Sequence, residues 1–182
     1  MAIETIQTKV KVYNPYALYV TPWTSETSKG NKTYKLDEVI RDTTTISQDD
    51  PEENKIENEF GSAPIINTVT LGSYQFSAEV ADMAPELLQI LCGYSVDTNK
   101  EKAYAPATYT AIYAEISLVF AAVGGTYIAA TLPKVQLNSK ATLDSLSTSM
   151  GRITLAGTGL NATVDGKPTP FVLDTAFELP SA

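Results

Sequence analysis

Carboxylates are the side chains best placed for chemistry in this chain, and they are concentrated in one segment. Residues 37–59 hold nine of the 21 acidic residues and two of the 13 basic ones. The four closest together are Asp49, Asp50, Glu52 and Glu53. Calcium prefers hard oxygen ligands of this kind, but the spacing and the central glycine of an EF-hand loop are absent. The pattern therefore favours a solvated acidic loop over residues 48–54.

A second carboxylate pair, Glu57 and Glu59, lies two residues apart on a predicted strand. Two carboxylates at short range can act as general acid and base in glycoside hydrolysis. Nothing nearby in the sequence supplies a platform for a sugar, so exposed strand charges are the favoured interpretation. A hydrolase that uses carboxylates alone stays open as an alternative.

The chain contains no histidine and a single cysteine, Cys92. Without histidine there is no Ser-His-Asp or Cys-His nucleophile system, and the usual imidazole metal sites are excluded as well. Cys92 has no partner for an internal disulfide, and its place at the end of an apolar stripe indicates a small buried hydrophobe. We therefore predict no enzymatic activity, no metal and no cofactor.

One glycine motif suggests a nucleotide site. Residues 157–162 satisfy the pattern G-x-G-x-x-A, which binds dinucleotides where it opens a helix after a strand. The residues that follow, 163–168, indicate a turn and not a helix, so we expect no dinucleotide binding.

Charge outside the acidic segment is balanced, at 12 acidic against 11 basic residues, so the net charge of −8 at pH 7 arises mainly from that segment. Such a chain is not expected to grip DNA, because binding to phosphates requires clustered lysine and arginine. The N-terminus lacks an apolar signal core, and the longest strongly apolar run, 116–123, is far shorter than a membrane span of roughly 18 residues. We expect a protein made in the cytoplasm that does not insert into a membrane.

Length and patterning predict one domain over residues 1–182, built mainly of strands. Period-two alternation is clearest over 109–120 and 70–80. In the second of these runs one face is wholly polar and consists of Ser73, Gln75, Ser77 and Glu79. Weaker strands are predicted at 5–13, 16–20, 38–46, 55–60, 151–159 and 171–179. The expected total is about eight to ten strands.

The run at 109–120 is predicted to form a long hairpin with the next β-rich run. A Gly-Gly pair at 124 and 125 separates the two runs, so the hairpin should span residues 109–132. On its first strand, Tyr113 and Glu115 share the less apolar face. Pro133 cannot donate a backbone hydrogen bond, so it is expected at a strand end, an edge or a bulge.

One helix is predicted, at about residues 83–92. Asp82 is a candidate N-cap, Pro85 lies in the first turn, and Gly93 is a natural C-terminal stop. Apolar residues between them form a stripe at helical spacing. The predicted fold class is therefore mainly β, an antiparallel β-sandwich or barrel-like domain with one short flanking helix.

From about Ile40 onward, the order of these elements resembles that of the major tail tube proteins of long-tailed bacteriophages. The resemblance rests on element order and on short stretches, PELLQILCG at 85–93 and RITLAGTG at 152–159. Residues 1–35, an N-terminal arm that includes Tyr13-Asn14-Pro15-Tyr16 and Pro22-Trp23, have no counterpart in it.

The resemblance implies a homo-oligomer whose hexameric rings stack into a tube in the tail of a virion. DNA would pass through the lumen during ejection without being tightly bound, and other tail proteins, such as the tape measure and the tail terminator, would be partners. Polar strand faces should then line the lumen, with Ser73, Gln75, Ser77, Glu79, Glu57, Glu59 and Glu115 as candidates. The acidic loop with Asp49, Asp50, Glu52 and Glu53 is the candidate contact between subunits. The inner tubes of contractile injection devices share these features.

The competing interpretation is a monomeric β-sandwich binding module that stacks Trp23 and tyrosines on a carbohydrate or binds a protein. A monomer can leave polar strand faces in water. A tube subunit needs such faces to line a shared lumen, and it needs its strand edges paired with neighbours.

Overall fold

The computed structural model describes residues 15–56, 66–121, 126–143 and 151–180, which form sixteen strands and one helix. The strands before the helix are β1 (Pro15–Ser25), β2 (Ser28–Lys29), β3 (Tyr34–Leu36), β4 (Thr45–Gln48), β5 (Glu52–Ile56), β6 (Ile66–Thr70) and β7 (Tyr74–Val80). After the helix α1 (Pro85–Cys92) come β8 (Ser95–Val96), β9 (Ala103–Tyr104), β10 (Ile112–Ala121), β11 (Tyr127–Leu137), β12 (Lys140–Thr142), β13 (Arg152–Gly159), β14 (Ala162–Val164), β15 (Lys167–Thr169) and β16 (Val172–Phe177).

Ten of the strands form one antiparallel sheet that curves back on itself. Its central order is β2-β1-β10-β11-β13-β7-β4, with β3 beside β1, β16 beside β11 and β12 beside β13. Val39, which follows β3, makes a β-bridge with Val80 at the end of β7. The Ile40 N–H donates to the Glu79 carbonyl at 2.8 Å in the same place. The bridge links the segment after β3, on the β1 side of the sheet, to the end of β7, so the sheet closes on itself there. This confirms the predicted mainly β, barrel-like class.

The core lies inside this barrel because alternate residues of each strand are apolar. One inner row runs in register across five strands and consists of Ile46, Phe76, Gly157, Leu137 and Ile112. Position 157 of this row requires glycine, because a Cβ there would lie only 2.5 Å from Cγ1 of Val135. Aliphatic side chains such as Ile116, Leu132, Ile153 and Leu155 are fully buried around it.

The helix α1 covers the end of the barrel at which β7 ends and β10 begins. Leu88 and Leu91 are buried in the core, and Leu87, Ile90 and Cys92 pack against it. The amphipathic stripe expected from the sequence therefore faces inward, and α1 supplies the apolar surface that strands do not provide at this end.

The two ends of α1 differ in how well they follow the sequence signals. Gly93 has a φ of 71° and ends the helix in the left-handed conformation, as predicted. The prediction that Asp82 is the N-cap is wrong, because Ala84 is the cap residue. The Asp82 carboxylate accepts a hydrogen bond from the Ala84 N–H at 2.8 Å, which forms a local turn and delays the helix start to Pro85.

The long hairpin is confirmed as the pair β10 and β11, whose strands span Ile112 to Leu137 and whose turn lies outside the described residues. Pro133 lies at a bulge, which is one of the three positions predicted for it. Ala114 pairs with Val135 and Ile116 pairs with Leu132, so that Pro133 and Lys134 together oppose one residue of β10.

Other strand predictions are wrong in part. Residues 38–46 are not one strand, because the chain crosses there from the β1 side to the β7 side through a turn in which Asp42 has a φ of 63°. Residues 52–54, predicted as loop, belong to β5 and pair with β6. Strands of two or three residues raise the number above the predicted eight to ten, and the strand predicted at 5–13 lies outside the described residues.

We expect Leu91→Ala to destabilise the protein by about 3 kcal/mol, because a fully buried leucine loses its transfer free energy and leaves a cavity in the core. The matched control is Leu173→Ala on β16, where the side chain is 47% exposed and the cost should be about 0.5 kcal/mol. Urea unfolding followed by circular dichroism would measure both. Equal shifts in the two variants would contradict the placement of α1.

Candidate functional surface

The outward side of the sheet carries a continuous polar row across five strands. The ladder register aligns Ser47 of β4, Gln75 of β7, Thr158 of β13, Gln136 of β11 and Tyr113 of β10. None of these side chains is buried. Each occupies the outward position because its strand neighbours fill the inner row, and alternation then fixes the side it faces. This row and the outward residues beside it on β4, β7 and β13 are called the polar face below.

A second row of the polar face lies one step along the strands. Thr45 of β4 and Ser77 of β7 are cross-strand partners, and their hydroxyl oxygens lie 2.7 Å apart. Ala156 of β13 continues this row. Small hydroxyl side chains keep the surface flat, and they present both donors and acceptors to water.

Gln75 is held at both ends of its amide. Its Nε2 donates to Oδ2 of Asp49 at 2.8 Å, and its Oε1 accepts a hydrogen bond from Oγ1 of Thr158 at 3.1 Å. The Asp49 N–H also donates to the Ser73 carbonyl at 2.9 Å. Asp49, the first of the four clustered carboxylates, is therefore fixed to the polar face.

Glu79 is the carboxylate of the polar face on β7, and it faces a cation. Nε of Arg152, on the neighbouring strand β13, lies 3.4 Å from Oε1 of Glu79, and the two side chains are 30% and 31% exposed. An ion pair at this exposure contributes little to stability, typically below about 1 kcal/mol. Its main effect is to cancel charge on the polar face.

Glu115 is also on the outward side of the sheet, but it lies three strands away from Glu79 in the order β7, β13, β11, β10. Both of its carboxylate oxygens accept hydrogen bonds from Nζ of Lys29 at 2.7 Å. The structure thus places Gln75, Ser77 and Glu79 together, with Ser73 directly before them, and Glu115 apart. Glu57 and Glu59 lie outside the described residues.

A lysine between two aromatic rings lies close to Glu115, and no local sequence pattern indicates this arrangement. Nζ of Lys134 is 4.6 Å from the ring centre of Tyr113 and 5.2 Å from that of Trp23, and it donates to the Glu26 carbonyl at 2.7 Å. The Trp23 indole N–H donates to the Pro133 carbonyl at 3.2 Å. Trp23 is therefore engaged within the chain on its ring face and at its N–H, which disfavours it as an open platform for a sugar.

Farther along β10 and β11 the outward side becomes apolar. Ala17, Val119 and Ala129 are buried there, and Tyr19, Tyr127 and Phe177 pack against them. The polar face is therefore a bounded surface. It covers the outward side of β4, β7 and β13 and reaches β11 and β10 at Gln136 and Tyr113.

Residues 48–54 are exposed, as predicted, but residues 52–54 belong to the strand β5 and not to a loop. The carboxylates Asp49, Asp50, Glu52 and Glu53 are all exposed. The strands β5 and β6 pair with each other alone among the described residues, and this two-stranded unit is called the ribbon below. On the ribbon, Nζ of Lys55 lies 2.5 Å from Oε2 of Glu53.

Two lysines from different loops meet at the first turn of α1. Oε2 of Glu86 lies 3.2 Å from Nζ of Lys100, and Oε1 lies 3.3 Å from Nζ of Lys32. Hydrogen bonds from Lys100 and then from Lys32 lower the pKa of the Glu86 carboxyl. The charge cluster ties the loop after β2 and the loop between β8 and β9 to the helix.

A small cleft opens where α1 ends. It is lined by Cys92, Pro106, Tyr109, Ile112, Leu137 and Ser139, among others. Burial raises the pKa of the Cys92 thiol from 9.0 to about 11, so the thiol is protonated near neutral pH. This environment agrees with the interpretation of Cys92 as a hydrophobe, because a protonated thiol is a poor nucleophile.

Within the ranges that the structure describes, no group of three or more histidine, cysteine, aspartate or glutamate side chains is arranged to hold a metal ion. In those same ranges, no helix is long and apolar enough to cross a membrane.

Comparison with known proteins adds a distant structural likeness. No family model matches the chain, and no curated protein matches it. Among the solved structures, the chain is similar to a crystal structure of Hcp protein, at 10% identity over 78% of this chain and 87% of that one. The TM-score is 0.32, and at this level the likeness carries no argument about function.

We expect the native Cys92 thiol to react about 100-fold more slowly with a disulfide reagent at pH 8 than the same thiol in urea, because its raised pKa lowers the thiolate fraction by that factor. The rate should rise about tenfold per pH unit up to about pH 11. Because the pKa is higher in the folded state, the shift contributes its whole effect on folding stability below pH 9. This contribution to stability is lost as the pH rises from 9 to 11. Cys92→Ser is the blank, and equal rates in native and unfolded protein at pH 8 would contradict the burial.

Proposed function

We propose that this protein is the structural subunit of a phage tail tube, in which hexameric rings stack and their lumen conducts DNA during ejection. The observation that carries the proposal is the polar face. It spans several regular strands whose opposite side packs in the core. Its polar residues therefore belong to strands with a clear alternation of apolar and polar positions, and not to irregular segments. A surface of this kind is suited to a water-filled channel shared among copies.

The strand edges support assembly. Among the described residues, β4 pairs only with β7, and β16 pairs only with β11. Each strand therefore presents an unpaired row of backbone donors and acceptors, and such edges attract further strands. Edges on separate parts of one subunit are suited to a closed ring of identical copies.

The chemistry of the polar face supports passage of DNA without retention. Its central residues are Ser, Thr and Gln, and its arginine stands beside Glu79. The whole chain carries a net charge of −8. A lumen that retained DNA would need clusters of unpaired lysine or arginine. Counterion release would then make phosphate binding favourable, and this binding would slow transit.

The tail of a virion is the proposed location, and the tape measure and the tail terminator are the proposed partners. The inner tube of a contractile injection device would use the same features, so it is the second candidate. The monomeric carbohydrate-binding module is weaker, because Lys134 covers one face of Trp23 and leaves no open aromatic platform there.

Light scattering after size exclusion, combined with negative-stain microscopy, tests the proposal directly. We expect rings at moderate concentration and tubes at high concentration, with free sheet edges as the driving contacts. A monomer of 19.6 kDa at every concentration, with no rings in micrographs, would refute the tube function.

A charge substitution tests whether the polar face lines the lumen. We expect Ser47→Lys combined with Ser77→Lys to assemble normally, because both sites are on the surface, and to make tubes retain short duplex DNA at low salt. Retention should fall steeply as salt rises, and filter binding across a salt series would measure it. The control with the same added charge is Asn161→Lys combined with Thr163→Lys, at exposed positions at the start of the β14–β15 hairpin, and it should retain no DNA. Equal retention by the control, or none by the polar-face variant, would show that the polar face does not line the channel.

A further inference from the structure

Two tyrosine rings are in contact on the outward side of the barrel. The ring centres of Tyr16, on β1, and Tyr127, on β11, lie 5.0 Å apart, and the ring planes are inclined by 46°. Within the described ranges no other pair of tyrosine rings is in contact. A hydrogen bond with Tyr16 is the largest influence that raises the pKa of the Tyr127 phenol, so the two hydroxyl groups also lie close together.

The strands hold the two rings in this arrangement. Tyr16 is the extra residue of a β-bulge, since the residues on either side of it pair with consecutive residues of β10. Tyr127 lies at the start of β11 and packs against three short, buried side chains, Ala17, Val119 and Ala129. Because both backbones belong to the central sheet, the contact between the rings requires no rearrangement of the chain.

The pair is accessible to small oxidants, because Tyr16 is 51% exposed. A one-electron oxidant removes an electron from a tyrosine, and the phenol proton leaves with it to water. The phenoxyl radical that remains couples with a second one through the ring carbons next to the oxygens. Two rings already in contact couple far faster than two rings that must first meet by diffusion.

Other aromatic rings are less suited to this chemistry. Nζ of Lys134 lies 5.2 Å from the ring centre of Trp23 and 4.6 Å from that of Tyr113, and a positive charge at this range opposes the loss of an electron. Lys35 lies near the tyrosine pair. Its charge is balanced by Asp37, whose Oδ1 is 2.8 Å from Nζ of Lys35.

We propose that Tyr16 and Tyr127 form an intramolecular dityrosine, a covalent cross-link made when a peroxide-driven one-electron oxidant acts on this pair. Each phenol loses one electron and one proton, and the two radicals form a carbon–carbon bond between ring carbons ortho to the oxygens. The hydrogens on those carbons then move to the oxygens, which restores both aromatic rings. Hydrogen peroxide takes up the two electrons and two protons and becomes two molecules of water. The inference does not depend on the proposed tube function.

The cross-link closes the chain from residue 16 to residue 127, across the intervening strand β10. It leaves the folded state nearly unchanged, because the rings are already in contact, and it restricts the unfolded chain. Restriction of a long loop stabilises a fold in the way that a long-range disulfide does. Oxidation at this pair therefore strengthens the barrel.

Mild treatment of the dilute full-length protein with a haem peroxidase and hydrogen peroxide tests the proposal. We expect dityrosine fluorescence in chains that still migrate as monomers on a denaturing gel. After proteolysis, mass spectrometry should find the peptide with Tyr16 joined to the peptide with Tyr127, lighter by two hydrogen atoms than the two together. The thermal midpoint of the cross-linked protein should rise by about 10 °C.

Tyr16→Phe and Tyr127→Phe keep the rings and remove the phenols, so both should fold. Each should reduce the fluorescence of the monomer band about tenfold or more, because only encounters between chains can then couple two tyrosines. The matched controls are Tyr104→Phe and Tyr109→Phe, at exposed tyrosines that contact no other tyrosine ring in the described ranges, and they should keep the parental signal. Fluorescence only in dimer bands, an undiminished signal in Tyr16→Phe, or a cross-linked peptide that joins other tyrosines would overturn the proposal.

Discussion

The β-bridge between Val39 and Val80 is the contact on which the rest of the structure depends. It links the segment after β3, on the β1 side of the sheet, to the end of β7, so that one side of every central strand faces a shared interior. A closed interior must be filled, which accounts for the fully buried aliphatic rows and for the glycine at position 157, where a Cβ would strike Val135. The same closure leaves every alternate side chain on the outside. The outward side of these strands is therefore a consequence of barrel formation. Core packing does not constrain which residues occupy it, so its polar composition can meet a functional requirement.

Local alternation was enough to predict most of this architecture. Gln75, Ser77 and Glu79 were placed on one face of a strand from their spacing alone, and the structure shows them on the outward side of β7. The α1 stripe and its terminal Gly93 were likewise predictable, because helix signals act over a few residues. Pro133 marked the bulge because the missing N–H is a local property of the residue.

Features that depend on distant parts of the chain were not predictable. Val39 and Val80 lie 41 residues apart, and no short-range pattern links them. Trp23 contacts Lys134 across more than a hundred residues, and Lys134 lies at the bulge of β11. Asp82 is not the N-cap, because its carboxylate accepts a hydrogen bond from the Ala84 N–H in a turn before the helix and Ala84 is the cap residue.

The bulge at Pro133 also determines how β11 can tolerate change in length. Leu132 and Val135 both face the interior, although they are three residues apart, because the strand holds one residue more than its partner between them. Loss of one residue at this position would restore regular alternation, and both halves of β11 would keep their inward and outward sides. Loss of a residue elsewhere in the strand would invert one half and turn leucines and valines towards water. Natural variation in length is therefore expected to concentrate at the bulge, which gives the strand a single point of tolerance for insertions and deletions.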